Sequence, residues 1–198
     1  MKKYILVTLI LFLSSKASAS LKESIILNLK NVNNINFNFE QNINGKIENG
    51  NCTIQYPKKI FCKYNLSNQK ILVSNGKWLI IKTTASYYKY PLDKTPLNYL
   101  LDKNFLIKRI NDLNQRIVQE KLINFNFVEK ENEINIFFDI TNHNLVGWQT
   151  LDIYQNLSIT YLNSITINQK LKEIYLNYLN EIDLNRYCFF FKNFHTSR

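Results

Sequence analysis

Ile35-Asn36-Phe37-Asn38-Phe39-Glu40-Gln41-Asn42-Ile43 alternates apolar and polar residues almost without a break. Ile35, Phe37, Phe39 and Ile43 fall on one face of an extended chain, and Asn36, Asn38, Glu40 and Asn42 fall on the other. A strand buried on one side only belongs to an antiparallel sheet whose second face meets water. The residues that follow repeat this logic. Asn44-Gly45, Asn49-Gly50 and Asn75-Gly76 tolerate positive φ, and each sits between alternating runs, so each predicts a hairpin. The strands expected between them are 46–48, 51–56, 60–66, 70–74, 77–83 and 86–90, an antiparallel meander.

Upstream, Ser20 can cap a helix whose apolar positions Leu21, Ile25, Leu29 and Val32 recur every three to four residues, with Glu23 placed for a capping box. Downstream, Thr95-Pro96 supplies an N-cap and a first-turn proline, and Leu97, Leu100 and Leu101 form the apolar side of a short helix. Strands resume over 117–129, 133–141, 145–154 and 157–162, and helical spacing returns over 167–179. Cys188-Phe189-Phe190-Phe191 reads as strand or exposed apolar tail within a terminal stretch, 180–198, of undefined structure. So many consecutive hairpins must curl to protect their edges, which predicts a partly closed barrel. Its interior is either a side-chain core or a cavity for an apolar ligand beneath a helix lying across the mouth.

The chain begins with Lys2 and Lys3, then an almost unbroken apolar run from Tyr4 to Leu13, then Ala17-Ser18-Ala19. These are the three regions of a cleavable secretory signal, so residues 1–19 are expected to leave and the mature chain to begin at Ser20. Ser14, Ser15 and Lys16 interrupt the apolar run well short of the ~20 residues a membrane span needs. Residues 20–198 are expected to form one domain.

The formal charge of +10 includes Lys2, Lys3 and Lys16, which leave with the signal. The remaining basic residues are scattered singly along the strands, the arrangement of a solvated surface rather than a binding patch, and nucleic acid is not an expected partner. An exported chain can form disulfides. Cys52 and Cys62 flank the turn at Pro57-Lys58-Lys59 and share a parity, so both point to one face of a hairpin. Directly opposed they can bond, whereas a register shift would leave them diagonal at ~7 Å. Cys188 is left over.

Catalytic signatures are missing. The two histidines are His143, in the turn Thr141-Asn142-His143-Asn144, and His195. The chain holds no Gly-x-Ser-x-Gly elbow, His-x-x-x-His spacing, Cys-x-x-Cys pair or glycine-rich phosphate loop. Asp93, Asp102, Asp112, Asp139 and Asp152 are scattered, with nothing to mark two as a convergent acid and base. A binding protein without cofactor or metal is expected rather than an enzyme.

Phe37-x-Phe39-x-Gln41, Gly50-x-Cys52-x-Ile54-x-Tyr56-Pro57, Ile71-Leu72-Val73-Ser74-Asn75-Gly76-Lys77, Tyr90-Pro91-Leu92 with Thr95-Pro96-Leu97, and Leu145-x-Gly147-Trp148 with Asp152 follow one another in order. Together they resemble the periplasmic outer-membrane lipoprotein carrier family (LolA). The resemblance implies a mostly β fold, an open, incomplete antiparallel β-barrel (half-barrel) covered by short α-helices. It implies a soluble, monomeric periplasmic carrier that shields the acyl chains of lipoproteins in an apolar cavity, taking them from an inner-membrane releasing transporter to an outer-membrane receptor.

Carried onto this chain, the acyl-chain-binding positions are Phe37, Phe39, Ile54, Ile60, Val73, Trp78 and Ile80, and the lid contacts are Leu97, Leu100 and Leu101. Where the family commonly has an arginine before the turn proline, latching the lid by hydrogen bonds, this chain has Tyr56, whose one hydroxyl makes a weaker latch. The alternative function is that of a related half-barrel that senses or regulates envelope stress through protein contacts.

Overall fold

The computed structural model describes residues 20–151 and 155–171. Ser20 Oγ accepts from the Glu23 N–H at 3.2 Å and Glu23 Oε2 accepts from the Ser20 N–H at 2.8 Å, closing the expected capping box of α1 (Leu21–Asn31). Ile25 and Leu29 form its buried stripe, and the chain then enters β1 (Asn34–Ile43).

Asn44 and Gly45 take φ values of 49° and 88°, the paired positive angles of a tight hairpin turn, and lead into β2 (Lys46–Gln55). No turn forms at Asn49-Gly50. Gly50 lies in the middle of β2, opposite Phe39 on one side and Tyr64 on the other. A Cβ there would come within 2.1 Å of the Lys63 carbonyl oxygen and 2.9 Å of the Phe39 ring, so this glycine serves close packing rather than chain reversal.

β3 (Lys59–Tyr64), β4 (Ile71–Asn75), β5 (Trp78–Lys82) and β6 (Tyr87–Pro91) complete the first meander. The second comprises β7 (Arg116–Val118), β8 (Leu122–Glu129), β9 (Asn132–Asp139), β10 (Leu145–Leu151) and β11 (Leu157–Ile167). The single strand expected over 117–129 is a hairpin instead. Gln119 and Glu120 turn the chain with φ of 51° and 56°, a conformation that neither residue type advertises. β11 continues through Ile167, so the helix expected over 167–179 does not begin there. Residues 168–171 are not helical either, and 172–179 lie outside the described residues, as do the expected signal at 1–19, the strand end at 152–154, Cys188-Phe189-Phe190-Phe191 and the tail 180–198.

Among the described residues the eleven strands form one antiparallel sheet in the order β6-β5-β4-β3-β2-β1-β11-β10-β9-β8-β7. β1 and β11 pair along their length and join the two meanders at the centre. The outermost strands, β6 and β7, are not hydrogen-bonded to each other, so the barrel stays open. The chain between them carries a 3-10 turn (Leu92–Lys94), α2 (Leu97–Leu100) and α3 (Lys103–Asp112). α3 was not among the expected elements. It begins where Asp102 Oδ1 accepts from the Phe105 N–H at 3.1 Å and buries Leu106 and Ile110.

α1 and α3 run antiparallel. Lys22 Nζ donates to the Asn111 carbonyl at 3.2 Å, and Lys103 Nζ donates to the Val32 carbonyl at 2.8 Å, satisfying the C-terminal end of α1. Asn28 Nδ2 donates to the His143 carbonyl at 2.9 Å and ties α1 to the β9–β10 turn. The result is the expected class, a mostly β open half-barrel covered by short helices. No helix among the described residues is long and apolar enough to cross a membrane.

Candidate functional site

Register sorts the side chains into two faces. Phe37, Cys52, Cys62 and Leu72 are successive lateral partners across β1 to β4, and Ile35, Ile54, Ile60 and Ser74 form the neighbouring row. This inner face lies under the helices. Phe37, Phe39, Ile54 and Ile60 are each at most 3% exposed and belong to one continuous core. The second meander adds residues that the expected lining did not include. Phe37 meets Trp148 edge-on at 6.2 Å, and Phe125 meets Phe138 at 6.1 Å. Their signal was present in the alternation of Ile134, Ile136 and Phe138, all fully buried on the same face.

Val73, Trp78 and Ile80 are not part of this lining. Val73 pairs with Phe61 and Ile80, whereas the inner row pairs Ile60 with Ser74 and Ser74 with Leu79. One residue of parity therefore sends Val73, Ile80 and Trp78 to the outer face. β4 and β5 conceal this in sequence because Ile71-Leu72-Val73 and Leu79-Ile80-Ile81 are apolar at both parities. The inner positions on these strands are Leu72, Ser74, Leu79 and Ile81.

The helical cover closes over this face. Leu100 and Leu101 are buried and Leu97 is half-buried, all packed with the lining, and Leu106 and Ile110 of α3 extend the contact. The inner face is thus filled by the protein's own side chains. α3 is also held from outside, where Arg109 Nη2 donates to the Val128 carbonyl at 3.1 Å and pairs with Glu129 at the same distance.

Tyr56 makes no latching hydrogen bond. Its side chain packs against the core, its hydroxyl is buried without a partner in the protein, and burial holds the phenol well above its usual range. The connection between this turn and the covering helices runs through Lys58. Its N–H donates to the Leu101 carbonyl at 2.6 Å, and its ammonium lies 3.5 Å from the Asp102 carboxylate. Lys58 adopts a φ of 63°, and its own carbonyl accepts from Ser74 Oγ at 3.0 Å.

Cys52 and Cys62 are directly opposed in the β2–β3 ladder and joined by a disulfide, with Cα atoms 4.1 Å apart. Beyond Phe39 the inner face turns polar. Glu48, 4% exposed, pairs with Lys46 at 2.9 Å and with Lys70 at closer range. Burial pushes this carboxyl up, but the hydrogen bonds and charges of Lys70 and Lys46 outweigh it and hold Glu48 below the usual carboxylate value. Tyr64 donates to Gln41 at 3.3 Å and Gln41 donates to Ser158 at 3.0 Å, so this end is a satisfied network.

Among the described residues no reactive centre is assembled. His143 sits in the β9–β10 turn, where its N–H donates to the Asp139 carbonyl at 2.9 Å, and Asp139 Oδ1 accepts from Thr141 and Asn142 in the same turn. Among the described residues no group of three or more His, Cys, Asp or Glu could hold a metal ion. A cavity of about 520 Å³ on the outer face is lined mainly by polar side chains such as Asn114, Arg116, Asn126 and Gln149.

No curated protein sequence matches this chain. Several solved structures are similar to it at low identity. An uncharacterized conserved protein from Thermus thermophilus is 8% identical with a TM-score of 0.46, covering 77% of this chain and 90% of the other. The MucA/MucB complex structure from Pseudomonas aeruginosa gives 10% and 0.45, covering 80% of this chain and 60% of the other. A LolA superfamily protein from Nitrosomonas europaea gives 6% and 0.38, covering 79% and 98%. Residues 30–175 match the family described as outer membrane lipoprotein carrier protein LolA. An open half-barrel, a continuous apolar inner face and a helical cover are thus the form taken here by a chain that belongs to the LolA family of outer membrane lipoprotein carriers.

Proposed function

We propose that this chain works in the periplasm as a carrier of acylated lipoproteins, receiving them from an inner-membrane releasing transporter and passing them to an outer-membrane receptor. Proteins of this family carry rather than catalyse. The observation that supports the reading is the continuity of the inner face with the lid, since Phe37, Phe39, Ile54, Ile60, Leu97, Leu100 and Leu101 share one apolar core. An acyl chain exposed to water costs about 0.8 kcal/mol per CH2, so a lipoprotein cannot cross an aqueous compartment unshielded.

The inner face is already covered, so ligand must replace the lid. Swinging α2 and α3 aside would uncover Leu100, Leu101 and Leu106, each costing about 1.5–3 kcal/mol, and acyl chains laid on the same surface offset that cost. Exchange of one apolar cover for another gives modest net affinity, which suits a protein that must release what it binds. The free carrier meanwhile keeps its binding face out of water. Export with removal of residues 1–19 belongs to the same proposal, as does action as a single domain and a monomer.

The test is recovery of the tagged mature protein from released periplasm, followed by mass spectrometry of what accompanies it. Acylated lipoproteins are expected. Their absence while the inner-membrane releasing step is active would overturn the reading.

A further inference from the structure

Lysines that lie singly along the sequence are gathered by the fold. Residues 20–198 carry a formal charge of +7, and segment 58–94 holds all of it, with eight lysines against one acid, Asp93. Residues 20–57 and 95–198 are each balanced. The basic segment runs from the turn before β3 to the 3-10 turn after β6, and β3 to β6 are consecutive at one end of the sheet. One wing of the half-barrel is therefore cationic and the rest is neutral.

Within that wing Lys77, Lys89 and Lys94 are exposed. Lys89 Nζ lies 4.5 Å and Lys77 Nζ 5.9 Å from the centroid of the Trp78 ring, so two ammoniums meet one indole. The Leu92 N–H donates to the Lys77 carbonyl at 2.9 Å, which fixes the 3-10 turn carrying Lys94 beside them. Among the described residues none of these lysines pairs with a carboxylate, Asp93 included. A cation–π contact positions an ammonium but leaves its charge uncompensated.

Aromatic side chains border the same edge. β6 is the outermost strand, and its register sets Tyr88 and Tyr90 opposite Ile81 and Leu79, with Lys89 on the other face. Tyr88 is 48% exposed and stacks with Tyr90 at 6.4 Å. Lys89 and Pro91 by themselves would serve to guard a free edge against pairing with another chain. Edge protection explains neither Lys77 and Lys94, which lie off β6, nor the exposed ring of Tyr88. Lysine interleaved with tyrosine and tryptophan matches a bilayer interface, where rings sit at headgroup level and ammoniums reach the phosphates. An acidic protein segment would need the charge but not the rings.

We propose that the β5–β6 edge, through Lys77, Lys89, Lys94, Trp78 and Tyr88, docks the protein on a bilayer surface rich in anionic phospholipid. The lysines supply the attraction to the headgroups, and the rings enter the interface. The inference stands on this edge alone and does not depend on what the inner face carries.

Co-sedimentation of the chain from Ser20 onward with lipid vesicles tests it. Binding is expected to phosphatidylcholine vesicles containing about one-third phosphatidylglycerol, not to phosphatidylcholine alone, and it should weaken as salt rises. Lys77→Gln, Lys89→Gln and Lys94→Gln combined should weaken binding ~100-fold, about fivefold per lysine. Lys108, Lys121 and Lys130 are also exposed, and their combined replacement by Gln changes the net charge equally but should leave binding within about twofold. Tyr88→Ser should weaken vesicle binding about fivefold. No binding to the anionic vesicles, equal binding to both kinds of vesicle, or equal loss in the two triple variants would overturn the proposal. Tighter binding to soluble polyglutamate than to the anionic vesicles would assign the edge to an acidic protein and overturn it as well.

Discussion

The Lys58 N–H donates to the Leu101 carbonyl at 2.6 Å, so the turn between β2 and β3 is bonded directly to the end of the covering helix α2. The same residue places its ammonium 3.5 Å from Asp102, which in turn caps α3 through the Phe105 N–H. Both covering helices therefore meet one turn residue.

That arrangement separates two substitutions. Asp102→Ala removes the ion pair and the helix cap together and is expected to cost about 1–2 kcal/mol. Lys58→Ala removes only a partly exposed pair, keeps the backbone bond and should cost about 0.5 kcal/mol. Denaturant unfolding measures both, and hydrogen exchange at α3 should rise more in Asp102→Ala.

Tyr56→Phe is expected to be neutral or slightly stabilising, because the hydroxyl has no partner in the protein and removing it leaves nothing unpaired. A loss above about 1 kcal/mol would show that the hydroxyl does make a stabilising bond. Burial raises this phenol above its ordinary value of 10.0, and the same cause, then the Glu48 charge, raises Tyr64. A raised folded-state value gives stability that is complete below pH 10.0 and is lost as pH climbs past it. Tyr56→Phe should therefore shift alkaline unfolding to higher pH.

Gly50→Ala should destabilise by about 3 kcal/mol, since the added carbon meets the backbone oxygen of Lys63 at 2.1 Å, and a ladder paired on both sides cannot step aside. Thermal unfolding of this variant beside Gly45→Ala separates the causes. At Gly45 nothing lies within 4 Å, so there only the φ of 88° is penalised, at about 1 kcal/mol.

Acid should weaken the polar end of the inner face. Lys70 and Lys46 hold Glu48 below its usual 4.5, so its contribution is present above that pH and is lost as pH falls through the lowered value. Glu48→Gln should cost about 2 kcal/mol at neutral pH and flatten the acid limb of the stability profile. An unchanged acid limb would place the acid-sensitive group elsewhere.

Reducing the Cys52–Cys62 disulfide, which spans ten residues, should lower stability by about 2–3 kcal/mol through the freedom restored to the unfolded chain. Comparison of unfolding with and without reductant checks this, with a Cys52→Ala, Cys62→Ala double variant as the control that reductant should no longer affect.

Local rules made much of this fold readable. The Ser20–Glu23 box, the Asn44-Gly45 turn and the alternation of β1 and β9 each follow from contacts within a few residues, and all appear as expected. Where reading failed, the local signal was weak or shared. Gln119-Glu120 turns without a turn residue, and Asn49-Gly50, a turn pair in sequence, lies inside a strand paired on both sides, where Phe39 and Lys63 leave no room for a Cβ at Gly50.

The candidate site divides along the same line. That Phe37, Phe39, Ile54, Ile60, Leu97, Leu100 and Leu101 share the inner core was legible because one parity or one helical spacing carried them. Val73, Trp78 and Ile80 were not, since both parities of β4 and β5 are apolar and the outer face holds a core of its own. Sequence alone determined a half-buried antiparallel meander and the capacity for a disulfide between Cys52 and Cys62. Tertiary structure alone decided which face each strand presents, that Lys58 rather than Tyr56 is bonded to the covering helices, and that the inner face is closed. These depend on register and on contacts between residues far apart in the chain, which no local pattern encodes.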